Sequence, residues 1–284
     1  MTDVADHGCM MNVFFNILQI SLPVLYGVSA LCYLCYFFRK NPSQRNIGTG
    51  LLVTGAVAHM VYTVVLGGTT GRHPMGTIYE FLSFVAMTMG FIYLFLEVWH
   101  RNAYIGTFAV PAIFLLQFCS TLGIEPSVTL KPLLHETRFA LHATTFAAAY
   151  ASFFLGVIFA LMVLLFERSI RRHRFGIIFE QLPSLDVLAR MTATTLVIGF
   201  VFMSIGLSLG AWSAWETTAE VGVDVKVLLT LLVWLLYGMA IVTRFVFHWS
   251  DKSLAIFCMS GFLLLVTTTV YTHLSDAGWH HFVG

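Results

Sequence analysis

The sequence predicts an all-α, polytopic membrane bundle of about eight transmembrane helices with both termini on the outer side, and three observations carry that reading. Apolar residues make up 58% of the chain and charged residues 10%, against roughly 45–50% and about 25% in soluble domains. Eight apolar runs of the length that crosses about 30 Å of hydrocarbon, roughly 20 residues each, cover 13–38, 47–66, 77–98, 103–119, 138–166, 191–212, 226–246 and 253–273. Of the fifteen Lys and Arg, only Arg72, Lys131, Arg138 and Lys226 fall in one set of alternating loops, and the rest fall in the other. Basic loops are retained in the cytoplasm, so the four mark the outer face. Little sequence remains for a soluble domain, and 1–284 reads as a single integral membrane domain with periplasmic or extracellular termini.

The first run follows a start that holds Asp3 and Asp6 but no Lys or Arg. It lacks the basic region of a cleaved signal peptide and is expected to stay as a helix. Inside it, Cys32 and Cys35 stand at helical i, i+3 spacing, which suits a redox pair or two small residues packed on one face. The second run carries His59. Gly67, Gly68, Gly71 and Pro74 then make LGGTTGRHPMG a turn, and the third run opens with Tyr79 and Glu80, an acid favoured near a helix N-terminus.

After the fourth run, CSTLGIEPSVTLKPLLHET leads to the fifth, which begins with Arg138 and His142. The basic stretch ERSIRRHRF that ends it suits the anionic inner leaflet, and IIFEQLPSLDVLARM beyond suits an interfacial amphipathic helix. A short basic loop beside a span gives no reason to invoke nucleic acid. The outer connection SAWETTAEVGVDV joins the sixth and seventh runs, and HLSDAGWHHFVG follows the eighth.

Histidines then direct the functional reading. Six of the eleven, His73, His135, His142, His273, His280 and His281, fall on the outer side, and His59 lies within a span. Ionisable groups in a bilayer usually persist for a functional reason, and neutral imidazole is a common axial ligand of haem iron. His135 and His142 are seven residues apart, as are His273 and His280, which is about 10.5 Å on one helix face. Arg72, Lys131 and Arg138 are the outer cations able to meet haem propionates. No C-x-x-C-H occurs, so the chain does not itself attach a c-type haem. Zinc spacing, a phosphate loop and a Ser/His/Asp arrangement are likewise missing from the sequence.

From about residue 47 onward the chain resembles the cytochrome c assembly family, including its CcsA-like and HemX-like branches. In HPMGTIYEFLSF, Pro74, Tyr79 and Glu80 match the family's proline-to-YE stretch. In HATTFAAAYASFFLG, His142, Tyr150 and Gly156 match its histidine helix, and AGWHHFVG puts His280 on the closing histidine. His59 falls where many members carry a histidine. Two elements depart: EVGVDVKVLLTLLVWLLYG keeps Asp224, Lys226, Trp234 and Tyr237 but has Val221 and Val223 at the tryptophan positions, and Val242 replaces a membrane histidine. Trp212 and Trp215 lie upstream, out of register.

The resemblance implies a non-covalent b-type haem held between His142 and His280 for cytochrome c maturation in a bacterial cytoplasmic (inner) membrane; His59, by its position, and Arg72 and Arg138, as outer cations, are the further candidate cofactor-binding residues. Its partners would be a CcsB-like or other membrane assembly subunit, a periplasmic c-type cytochrome and the lipid bilayer. Two alternatives stay open: a b-type haem electron-transfer subunit of a quinone-linked complex, and a HemX-like regulatory or scaffold protein without haem. Whether the chain is an enzyme is open.

Overall fold

The computed structural model describes residues 2–123, 137–173, 176, 181–217 and 225–274. Eight α-helices account for nearly all of them: α1 (Thr2–Arg39), α2 (Pro42–Thr70), α3 (Ile78–His100), α4 (Gly106–Thr121), α5 (Thr137–Arg171), α6 (Leu185–Thr217), α7 (Val225–Phe245) and α8 (Asp251–Leu274). Seven are long and apolar enough to cross a membrane. The chain is therefore a polytopic helical membrane protein, as its hydropathy predicts. The exception is α4, whose 16 residues rise only about 24 Å.

The helices gather into two compact units, Met1–Val128 and Thr129–Gly284. In the first, α1 to α4 pack side by side. Asn41 caps α2 by accepting from the Ser43 amide at 3.0 Å, with Pro42 in the first turn where its missing N–H costs nothing. Helix α2 ends on Gly71 at φ 64°, a left-handed cap that glycine adopts without strain. Between α1 and α2, Ser29 Oγ donates to the Gly48 carbonyl at 2.8 Å. A Cβ on Gly48 would come within 3.2 Å of Cys32 and Tyr33, so Cys32 lies on a tight helix seam, and Cys35 is exposed.

Short as it is, α4 runs the depth of the unit antiparallel to α1. Near its start Thr107 Oγ1 donates to the Tyr33 carbonyl at 3.2 Å, and at its end the Thr121 carbonyl accepts from Gln19 Nε2 at 3.3 Å. The fourteen residues between those contacts rise about 21 Å on each helix. Its start fits because residue 106 is glycine: a Cβ there would lie 2.4 Å from both the Tyr33 ring and the Tyr93 hydroxyl.

In the second unit α5 packs on α6 and α8, and α7 packs on α6 and α8. Buried Ala147, Ala148, Ala149 and Ala151 keep the α5 surface low. Gly156 lets Cys258 Sγ and Thr195 Oγ1 come to 3.0 Å of where its Cβ would stand, and the Tyr150 hydroxyl bonds Thr269 Oγ1. Trp234 stacks on Phe200 at 5.3 Å and donates from Nε1 to Ser204 Oγ at 2.8 Å. Tyr237 stacks on Phe153 at 3.9 Å. These family-matching positions on α5 and α7 thus set helix packing. Helix α6 begins at Leu185, so residues 185–190 are its first turns, braced by the Asp186–Arg190 pair at 2.8 Å, where the sequence suggested an interfacial segment.

Candidate functional site

His59 is wholly buried in the first unit, and both of its ring nitrogens are engaged. Ser83 Oγ donates to Gln117 Oε1 at 3.1 Å, which uses its only proton. It must therefore accept from His59 Nε2–H, 2.9 Å away. Nδ1 is then the acceptor for the Tyr26 hydroxyl at 3.1 Å. The line ends as Gln117 Nε2 donates to Thr121 Oγ1 at 3.3 Å. Tyr26, His59, Ser83 and Gln117 come one from each of α1 to α4, so a single chain of donors ties the four helices together. An iron at His59 would have to displace one of these bonds.

Arg72 is 8% exposed and Glu80 3%. Their pairing is two-pronged, Nη1 to Oε2 at 3.0 Å and Nη2 to Oε1 at 2.9 Å, and the Gly76 amide adds a third bond to Oε2 at 2.8 Å. Thr77 caps α3 by accepting from the Glu80 amide at 3.2 Å. The proline-to-YE stretch is thus a locked turn between α2 and α3. A small cleft lined by Tyr62, Leu66, Pro74, Glu80, Ser83 and Phe84 opens beside it.

Sequence reading missed Glu97, 3% exposed near the end of α3. It accepts from Tyr33 at 2.5 Å and Thr49 at 3.0 Å, with Arg45 Nε 3.9 Å away. An acid inside the run FIYLFLEVWH was the available signal.

In the second unit, His142 stands in the second turn of α5, against α6. Its Nδ1 lies 2.9 Å from the Gly206 carbonyl oxygen. A carbonyl only accepts, so Nδ1 carries a proton, and in the neutral tautomer Nε2 is then the unprotonated nitrogen. Phe146, one turn on, flanks the imidazole with ring centroids 4.8 Å apart. One turn before it, the Arg138 guanidinium sits 5.4 Å over the Trp212 ring, worth about 0.5–1 kcal/mol at an exposed site. The upstream tryptophan thus meets one of the predicted outer cations. An imidazole of fixed tautomer, an indole and a guanidinium gather at the junction of α5 and α6, a donor set that fits haem.

The other predicted ligand, His280, lies outside the described residues, as do His135, His281, Lys131, Val221, Val223 and Asp224. Val242 is 49% exposed on α7. His73 is exposed in the turn before α3.

The sequence is similar to those of known proteins over most of its length. The chain is similar to cytochrome c biogenesis proteins CcsA of Chlorella vulgaris, 24% identical over 93% of this chain and 98% of that one, and of Mesostigma viride, 23% identical over 95% of each. CcsA of Prochlorococcus marinus (strain NATL2A) is 25% identical over 75% of this chain and 77% of its own. Residues 75–280 match the family model described as Cytochrome C assembly protein, a stretch that takes in the His142 helix, ends on His280 and starts beyond His59. With most of its length matched, the chain belongs to the cytochrome c assembly protein family.

Proposed function

We propose that this chain holds a non-covalent b-type haem at the outer face of a bacterial cytoplasmic membrane for cytochrome c maturation, with His142 and His280 as axial ligands. The observation that carries the reading is the Nδ1–H bond of His142 to the Gly206 carbonyl. Ligating histidines are held in this way by a partner on the second nitrogen. Arg138, backed by Trp212, would meet a propionate. When bound, haem supplies the iron for the two imidazoles. We assign His59 and Arg72 to holding the first unit together, because both are committed to internal partners. A CcsB-like membrane subunit and a periplasmic c-type cytochrome are the partners this reading requires.

We infer outward termini by counting α4 as an eighth span. Its two ends bond Tyr33 and Gln19, fourteen residues apart on α1, which supports a crossing despite its length. Were it not to cross, Arg168, Arg171 and Arg172 at the end of α5 would lie outside, against the positive-inside rule. In intact cells a cysteine placed at His73 is expected to react with a membrane-impermeant maleimide, and one at Arg172 only after permeabilisation. The reverse pattern would overturn the orientation.

The first test of function is the absorption spectrum, oxidised and reduced, of the detergent-purified protein with a haem assay. Wild type is expected to carry low-spin, reducible haem that His142→Ala loses. A second reading, a permanently held b-type haem passing electrons between quinone and a periplasmic partner, is favoured by the valines at 221, 223 and 242. Stoichiometric haem that no acceptor apocytochrome removes would support it. A wild type without haem, even when haem is supplied during expression, would leave the HemX-like regulatory role.

A further inference from the structure

We infer that Gly206 and Gly210 of α6 are positioning residues that fix the tautomer and seat of His142, making Nε2 the ligating nitrogen. Ligation itself rests on the haem reading above; the tautomer does not. The two glycines are one helical turn apart, with the imidazole seated against Gly210 and the Phe146 ring that flanks it seated against Gly206. A Cβ on Gly210 would stand 2.7 Å from His142 Cε1 and 2.8 Å from Nδ1, and one on Gly206 would stand 2.7 Å from the Phe146 ring. Neither ring could keep its place beside a larger residue. In the regular helical ladder the Gly206 carbonyl accepts from the amide of residue 210. It has a second lone pair, and His142 Nδ1–H reaches that at 2.9 Å only because nothing projects from residue 210. A backbone acceptor also holds one tautomer, since a helical carbonyl cannot turn over to donate. A serine or an amide at the same distance could serve either tautomer, as the hydroxyls around His59 illustrate.

The test reads the tautomer without haem. Haem-free protein labelled with nitrogen-15 histidine is examined by solid-state NMR, with the His142 signals identified by their loss in His142→Phe. Wild type is expected to show a protonated Nδ1 and an unprotonated Nε2. Gly210→Ala is expected to shift His142 toward the Nε2–H form and to weaken haem retention about 10–100-fold, the usual effect of losing such a supporting partner. Gly199→Ala strains the same α5–α6 seam by pressing on Phe153, 2.5 Å from its Cβ position, yet is expected to leave the His142 tautomer unchanged.

A wild-type His142 protonated on Nε2, or a tautomer unmoved in Gly210→Ala, overturns the inference whether or not haem binds. The wild-type spectrum stands alone should Gly210→Ala not fold. Correct tautomer behaviour in a protein that never takes up haem upholds the positioning and removes only the haem reading.

Discussion

Glu80→Ala is expected to destabilise the first unit by about 3–5 kcal/mol, the cost of breaking a buried ion pair from one side. The reason is what remains. Arg72 is 8% exposed, and its guanidinium cannot lose its charge at any physiological pH. Without Glu80 it loses both charge-assisted bonds, and the Gly76 amide loses its acceptor. Replacing both residues by apolar ones of similar size, Arg72→Met with Glu80→Leu, is expected to recover much of the loss, because no buried charge is left. Denaturant titration in detergent of wild type, Arg72→Met, Glu80→Leu and the double variant, with helicity as the signal, gives the coupling between the sites, and Glu80→Ala is titrated beside them. If Glu80→Ala falls within 1 kcal/mol of wild type, the pair is wet, and Arg72 returns as a candidate for propionate binding.

The helices were legible in the sequence because bilayer thickness imposes a length and hydrocarbon imposes a composition, and both show in any apolar run. What hydropathy does not mark is where a helix stops once it leaves the hydrocarbon. Helix α1 reaches back to Thr2 and α6 to Leu185, beyond the apolar runs beginning at 13 and 191, because backbone hydrogen bonding continues through polar residues. The short α4 was legible as a run of about the right length, but its crossing is argued from Gln19 and Thr107, which no periodicity connects.

The site was legible in part. His142 stood out by residue type and by register with a known pattern, and Arg138 by its charge on the outer side. Gly206, which sets the His142 tautomer, acts through its carbonyl oxygen, and every residue has one; only the bare Cα at 210 leaves a trace in sequence. Trp212 was read as out of register because alignment counts residues along the chain, whereas Arg138 meets it across two helices. For His59 the relevant partners, Tyr26, Ser83 and Gln117, lie on three other helices at separations that carry no signal.

His59→Leu separates the two roles open to that residue. Leucine fills much of the imidazole's volume, so the main loss is polar. Tyr26 hydroxyl, fully buried, is left without its acceptor, whereas Ser83 still donates to Gln117. An orphaned buried hydroxyl costs about 1–3 kcal/mol, and interhelical hydrogen bonds within membranes tend to the lower figure because the unfolded helices find other partners. We therefore expect a loss of about 1–2 kcal/mol in denaturant titration, most of it recovered in Tyr26→Phe with His59→Leu, where no hydroxyl is stranded. Haem content per chain is expected to stay at the wild-type value in both variants, because His59 already spends both nitrogens within the first unit. The opposite pairing, unchanged stability with haem lost, would mean that the bonds to Tyr26 and Ser83 are given up when iron arrives, and that His59 is a ligand after all.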